Sequence, residues 1–180
     1  MEPVLTIVVG LACAGWSRVC PAVRRLAREA ARAALVDGMR AAGLAPTAPV
    51  EVGVTLANAA EQQQLNRDYR GHDMPTNVLA FPAWQPGAPV PPEAPLLLGD
   101  VVLAFETVLH EADEQEKPLV DHLRHLVVHG VLHLLGFDHL TPADAAMMEA
   151  LETSILAKLG VADPYRNTVW PLANETCCDE

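Results

Sequence analysis

His129, His133 and His139 are the residues whose type and spacing speak most directly of chemistry. In a helix, His129 and His133 stand one turn apart, about 6 Å of rise, so both imidazoles can converge on one ion. Gly136 lets the chain leave that helix through a left-handed conformation and bend back, which brings His139 to the same ion from another side. Three neutral nitrogen ligands suit zinc or a similar transition metal and leave one coordination position open, the form that metal sites take when they activate water. His122 and His125 precede the cluster. At about 100° per residue His122 lies within roughly 40° of the two helical ligands and His125 farther round. Both are read as bracing or packing residues, because three ligands are already supplied.

The spacing matches the metzincin protease pattern H-E-x-x-H-x-x-G-x-x-H at every marked position but one. The glutamate that serves such proteases as general base is replaced by Gly130, which cannot take a proton. Peptide hydrolysis by that route is therefore disfavoured, and phosphodiesters become a candidate substrate. A metal can polarise a phosphoryl oxygen and acidify water, and a fixed guanidinium can receive the developing charge. Arg70, just before the turn 71–77, is the arginine expected in that role. Asp138, beside the third ligand, either stabilises its turn or orients an imidazole.

The elements that must position these groups can be read along the chain. Residues 4–10 and 50–57 read as strands, and Pro21 opens a helix that Gly43 stops. On that helix Arg24, Arg28 and Arg32 share a face, a solvated surface or an RNA-facing stripe. Asn58 followed by Glu61 marks a capped helix to about Tyr69. A short strand is expected over 77–81, then a proline-rich surface loop over 82–95, a strand over 96–105 and a helix over 106–114. Pro118 begins a strongly apolar helix to about Leu135, and Thr141-Pro142 caps a last helix to about Leu159. The expected fold is α+β: a small mixed sheet of about four strands flanked by helices, with the metal site at the end of a histidine-bearing helix. Residues 1–165 are read as one domain and 166–180 as a peripheral tail.

Composition bounds the rest. The 180 residues are 51% hydrophobic and 19% charged, enough to bury a core and too apolar for disorder. The net charge of −11 argues against non-specific coating of nucleic acid, so a polyanion must meet a local basic surface. No stretch is long and apolar enough for a bilayer span, and Met1-Glu2-Pro3 supplies no basic start for a signal peptide. Cys13, Cys20, Cys177 and Cys178 form neither a CxxC pair nor a secreted disulfide framework. A cytoplasmic location is expected.

Four blocks in order carry a family resemblance: Leu65-Asn66-Arg67-Asp68-Tyr69-Arg70, Pro75-Thr76-Asn77-Val78-Leu79-Ala80-Phe81-Pro82, Leu98-Gly99-Asp100-Val101, and His129 to His139. Weaker matches follow at Met148 to Glu152 and Asp163-Pro164-Tyr165. The chain resembles the YbeY endoribonucleases, bacterial metalloproteins of rRNA maturation. The resemblance implies one zinc per chain on His129, His133 and His139, and hydrolysis of single-stranded RNA. It also implies roles in rRNA 3′-end processing and ribosome quality control, with ribosomal subunits or assembly proteins as partners. Arg70 matches the family's functionally important arginine. Ala80 stands where the family usually has serine. Two rivals remain from the residues alone: a metal-dependent hydrolase of another substrate, and a ribosome-associated assembly factor whose zinc is structural and closed by a fourth ligand.

Overall fold

The computed structural model describes residues 3–90 and 94–166, with residue 70 described by its backbone alone. In chain order the elements are β1 (Leu5–Leu11), α1 (Ala14–Val19), α2 (Val23–Ala41), β2 (Val50–Ala57) and α3 (Ala59–Arg70). They continue as β3 (Val78–Pro82), β4 (Leu96–Ala104), α4 (Phe105–Glu114), α5 (Leu119–Leu134) and α6 (Pro142–Lys158). The expected elements are present, with ends shifted by a residue or two. The short α1 was not foreseen. It has no side-chain cap and only six residues, and its formation rests on Trp16. That indole is fully buried, packs edge-on to Phe105, and donates its Nε1–H to the Ala57 carbonyl at 2.9 Å. So short a helix is stabilised by packing rather than by propensity.

The sheet is mixed, in the order β1-β2-β4-β3. β1 and β4 flank β2 in parallel, and β3 joins β4 antiparallel at the far edge. Val50, Val52, Val54 and Leu56 alternate into the core from the interior strand β2, as a sheet with one well-packed face requires. The helix starts follow local rules. Asn58 and Glu61 form a reciprocal capping box at α3, and the Thr141 hydroxyl accepts the Asp144 N–H at α6, where Pro142 occupies the first turn.

α5 is the central helix, packing against α2, α4 and α6 and against β3 and β4. Leu123, Leu126, Val127, Val128, Val131, Leu132 and Leu134 bury around most of its circumference, the pattern of a helix enclosed by its neighbours. Its apolar surface leaves the His129–His133 stripe as the partly open side. Gly130 explains how α5 approaches the sheet so closely. A Cβ placed there would stand 2.5 Å from Val101 Cγ1 on β4, well inside van der Waals contact. Among the described residues, no helix is long and apolar enough to cross a membrane.

Candidate metal centre

His129 and His133 project from consecutive turns of α5, with their Nε2 atoms 3.0 Å apart. After α5 the chain turns at Gly136 (φ 91°), where Phe137 N–H donates to the Leu132 carbonyl at 3.1 Å and Gly136 N–H to the His133 carbonyl at 3.0 Å. That turn returns His139 to the helix. Its ring centroid lies 5.9 Å from that of His129 and 5.2 Å from that of His133. One nitrogen from each of the three rings lies within 4.8 Å of the others. Asp138 settles its own role: Oδ1 accepts the His139 backbone N–H at 2.7 Å, so the carboxylate braces the turn.

The buried carboxylate of Glu152 on α6 braces the histidines from behind. Its Oε1 lies 2.7 Å from His129 Nδ1, and Oε2 lies 3.1 Å from His125 Nε2 and also accepts the Tyr165 hydroxyl. An imidazole whose Nδ1–H donates to a carboxylate carries its free lone pair on Nε2, which here points at His133. Burial by itself would raise the Glu152 carboxyl, but hydrogen bonds from His125, His129 and Tyr165 hold it down to about 2. Burial, together with the same carboxylate, pushes the Tyr165 phenol well above its usual range. Burial and the neighbouring His129 and His139 lower the His133 imidazole to about 4, so its nitrogen stays neutral and free to ligate across the physiological range.

Two cavities meet at His129 and His139, and His133 borders the larger of them. One, of about 510 Å³, runs past Thr76, Ala80, His133 and Phe137; the other, of about 370 Å³, past Glu111, His125, Glu152 and Tyr165. Asn77, Val78, His129 and His139 border both. The turn that supplies Thr76 and Asn77 is pinned to α3, where Gln62 accepts the Thr76 N–H at 2.9 Å and Asn66 donates to the Met74 carbonyl at 2.7 Å. Arg70 is the last residue of α3, immediately before the left-handed Gly71 that starts this turn. Ala80 lies on the wall of the larger cavity.

Arg24, Arg28 and Arg32 are exposed along α2, and Arg28 Nε donates to the Ile7 carbonyl of β1 at 3.4 Å. They therefore stand at the β1 edge of the sheet, while the histidines lie on the side of β3; none of the three borders either cavity. His122 and His125 engage Glu111 and Glu152 rather than the ligand set. The expected tail beyond residue 166 lies outside the described residues. Sequence reasoning assigned no role to Glu152, Tyr165, Glu111 or Asn77. A signal for Glu152 does exist, since it interrupts the apolar stripe of Met148, Ile155 and Leu156 on α6.

The donor set fits a zinc-like ion, because three neutral imidazoles converge and one has its tautomer fixed by a buried carboxylate. Among the described residues the group that can share one ion consists of these three histidines, without a fourth protein ligand. Fold and site thus define a class, α+β proteins with an open cluster of three histidines that could hold a metal ion. Residues 22–160 match the family described as Endoribonuclease YbeY. The protein named Endoribonuclease YbeY in Paramagnetospirillum magneticum is 52% identical over 167 residues, covering 92% of this chain and 98% of its own length. Its namesake in Rhodospirillum rubrum is 48% identical over 158 residues, 87% of this chain and 79% of the relative. The solution structure of a Thermotoga maritima protein superposes with a TM-score of 0.51 at 21% identity, covering 91% of this chain and 97% of that one, which supports the fold. The chain belongs to the YbeY endoribonuclease family, enzymes that cleave RNA phosphodiester bonds.

Proposed function

We propose that this endoribonuclease is zinc-dependent and specific for single-stranded RNA, and that it acts in rRNA 3′-end maturation and ribosome quality control in the cytoplasm. The observation that carries the metal assignment is the approach of three imidazole nitrogens within 4.8 Å, backed by Glu152 and open to two cavities. His129, His133 and His139 would hold the ion, which when bound supplies Lewis acidity towards a phosphoryl oxygen and towards water. Water attacks the phosphorus, one P–O ester bond breaks, and the departing oxygen takes up a proton. Arg70 binds the phosphate and offsets the charge that develops on it, a task suited to a guanidinium. Arg24, Arg28 and Arg32 contact the RNA farther along, where a substrate of ribosomal size extends beyond the cleft. Ribosomal subunits or their assembly proteins are the partners that this substrate implies.

The rival readings meet specific obstacles. Val101 leaves no room at position 130 for the general base of a protease. A closed structural zinc site needs a fourth ligand, and His122 and His125 are turned to carboxylates. The test is His133→Ala, measured for zinc content and for cleavage of a single-stranded rRNA 3′ fragment, beside a peptide substrate with and without chelator. Metal content is expected to fall from about one ion per chain towards none, and RNA cleavage with it. Full cleavage of RNA by zinc-free protein would end this reading.

A further inference from the structure

β3 is an edge strand of the sheet, and its two faces meet different surroundings. Val78, Ala80 and Pro82 border the larger cavity beside the histidines. Leu79 and Phe81 alternate to the opposite face, where α3 packs against the sheet. There the Tyr69 ring of α3 meets Phe81 in an edge contact, with centroids 5.5 Å apart and planes at 65°. Tyr69 nevertheless stays 74% exposed, and none of the hydrogen bonds among the described residues uses its hydroxyl.

An aromatic ring this open adds little to the core, because burial is what makes such a side chain stabilising. Its contact with Phe81 restricts it, so the ring is held ready at small entropic cost to a ligand. The surroundings narrow the choice of ligand. Arg67, Asp68 and Asp73 are exposed near the same helix end, with Arg67 Nε 3.6 Å from Asp68 and Nη1 3.8 Å from Asp73. A protein partner closing over the ring would desolvate those charges, whereas anchoring aromatics at protein interfaces sit in dry, well-packed pockets. A base laid on the ring leaves them in water. The Arg67 guanidinium already faces two carboxylates, so this surface offers stacking rather than a phosphate site. Tyr69 directly precedes Arg70 in α3, and the open edge of β3 gives a strand of RNA a route from the cleft to this face.

We infer, resting on the RNA-cleaving reading above, that Tyr69, braced by Phe81, stacks one unpaired base of the RNA where the strand leaves the histidine cleft over the edge of β3. Every base has a π-face, so the ring takes any of the four and reads strandedness rather than sequence. A base inside a duplex is stacked on its neighbours, and only an unpaired one can be splayed onto an aromatic side chain. The contact thus supplies a physical source for single-strand specificity. It neutralises no phosphate, so its strength is independent of salt.

The experiment uses the full chain, freed of metal so that the strand stays intact, and a fluorescent single-stranded oligoadenylate. Tyr69→Ala is expected to weaken binding about 5- to 150-fold, the range of one base–aromatic stack, and by the same factor at low and high salt. Tyr69→Phe and Tyr69→Trp should stay within about 3-fold of the wild type, because the stack needs a ring and not a hydroxyl. A fully paired RNA of the same length should bind the wild type and Tyr69→Ala alike. In a second arm, zinc-loaded proteins of equal metal content cleave single-stranded RNA, and Tyr69→Ala should raise KM by a larger factor than it lowers kcat. Equal affinity of Tyr69→Ala and the wild type for the single strand overturns the stacking site and leaves the nuclease reading intact; a ring that docks a protein instead gives this result. A loss that Tyr69→Trp fails to restore, or one shared by the duplex, overturns it as well. Binding that depends on Tyr69 in a zinc-loaded protein that cuts no RNA overturns the nuclease reading instead.

Discussion

Glu152 Oε1 lies 2.7 Å from His129 Nδ1, so a carboxylate on α6 selects which nitrogen of a histidine on α5 faces the three-histidine cluster. Partners of this kind usually matter 10- to 100-fold in metal affinity. Glu152→Gln is therefore expected to weaken zinc binding by about that factor, read by competition with a chromophoric chelator. Unchanged affinity in the folded variant would show that the carboxylate supports packing alone.

Acid should destabilise the metal-free protein in two windows. The His133 imidazole is lowered from 6.5 to about 4, so between those values the unfolded chain binds a proton that the folded chain does not, and stability falls as pH falls through this range. Because the ring is partly exposed, the size falls well below the roughly 3 kcal/mol that the full shift would carry. The Glu152 carboxyl is lowered from 4.5 to about 2, so its contribution is full above 4.5 and is lost as pH falls through about 2. Urea midpoints recorded across this range should decline in both windows, and His133→Gln should flatten the upper one. A midpoint in the wild type that stays constant from pH 6.5 to 4.5 would contradict the His133 assignment.

Gly130→Ala pits two effects against each other. Alanine gains about 1 kcal/mol of helix propensity over glycine, whereas overpacking a close-packed core costs about 1–3 kcal/mol. The obstacle is Val101, a stiff β-branched side chain on an interior strand, so the overlap should prevail and the variant should be destabilised by about 1 kcal/mol. Val101→Ala in the same chain should reverse the sign of the Gly130→Ala effect. Denaturant midpoints of the four proteins in this cycle check it.

Replacing Arg24, Arg28 and Arg32 together by alanine tests whether RNA reaches the β1 edge. Three lost phosphate contacts on a single strand should reduce the slope of log affinity against log salt by about 2. An unchanged slope would confine the RNA to the β3 side, where the histidines are.

Much of this molecule was legible before folding because its signals are local. The Asn58–Glu61 capping box, the Thr141-Pro142 start and the alternation of β2 act within a few residues, and each appears where expected. Helix α1 was not legible, because the burial of Trp16 against Phe105 is a contact between distant parts of the chain. The same division runs through the metal centre. The alignment of His129 with His133 follows from helical rise alone, and the return of His139 from a glycine turn three residues later. That Glu152 and not another acid stands behind His129, that His122 serves Glu111, and that the arginines of α2 lie at the opposite edge from the histidines were decided by how α4, α5 and α6 pack on a sheet ordered β1-β2-β4-β3. Periodicity specifies which side of an element is apolar; only packing specifies which elements those sides meet, and therefore which buried charges find each other.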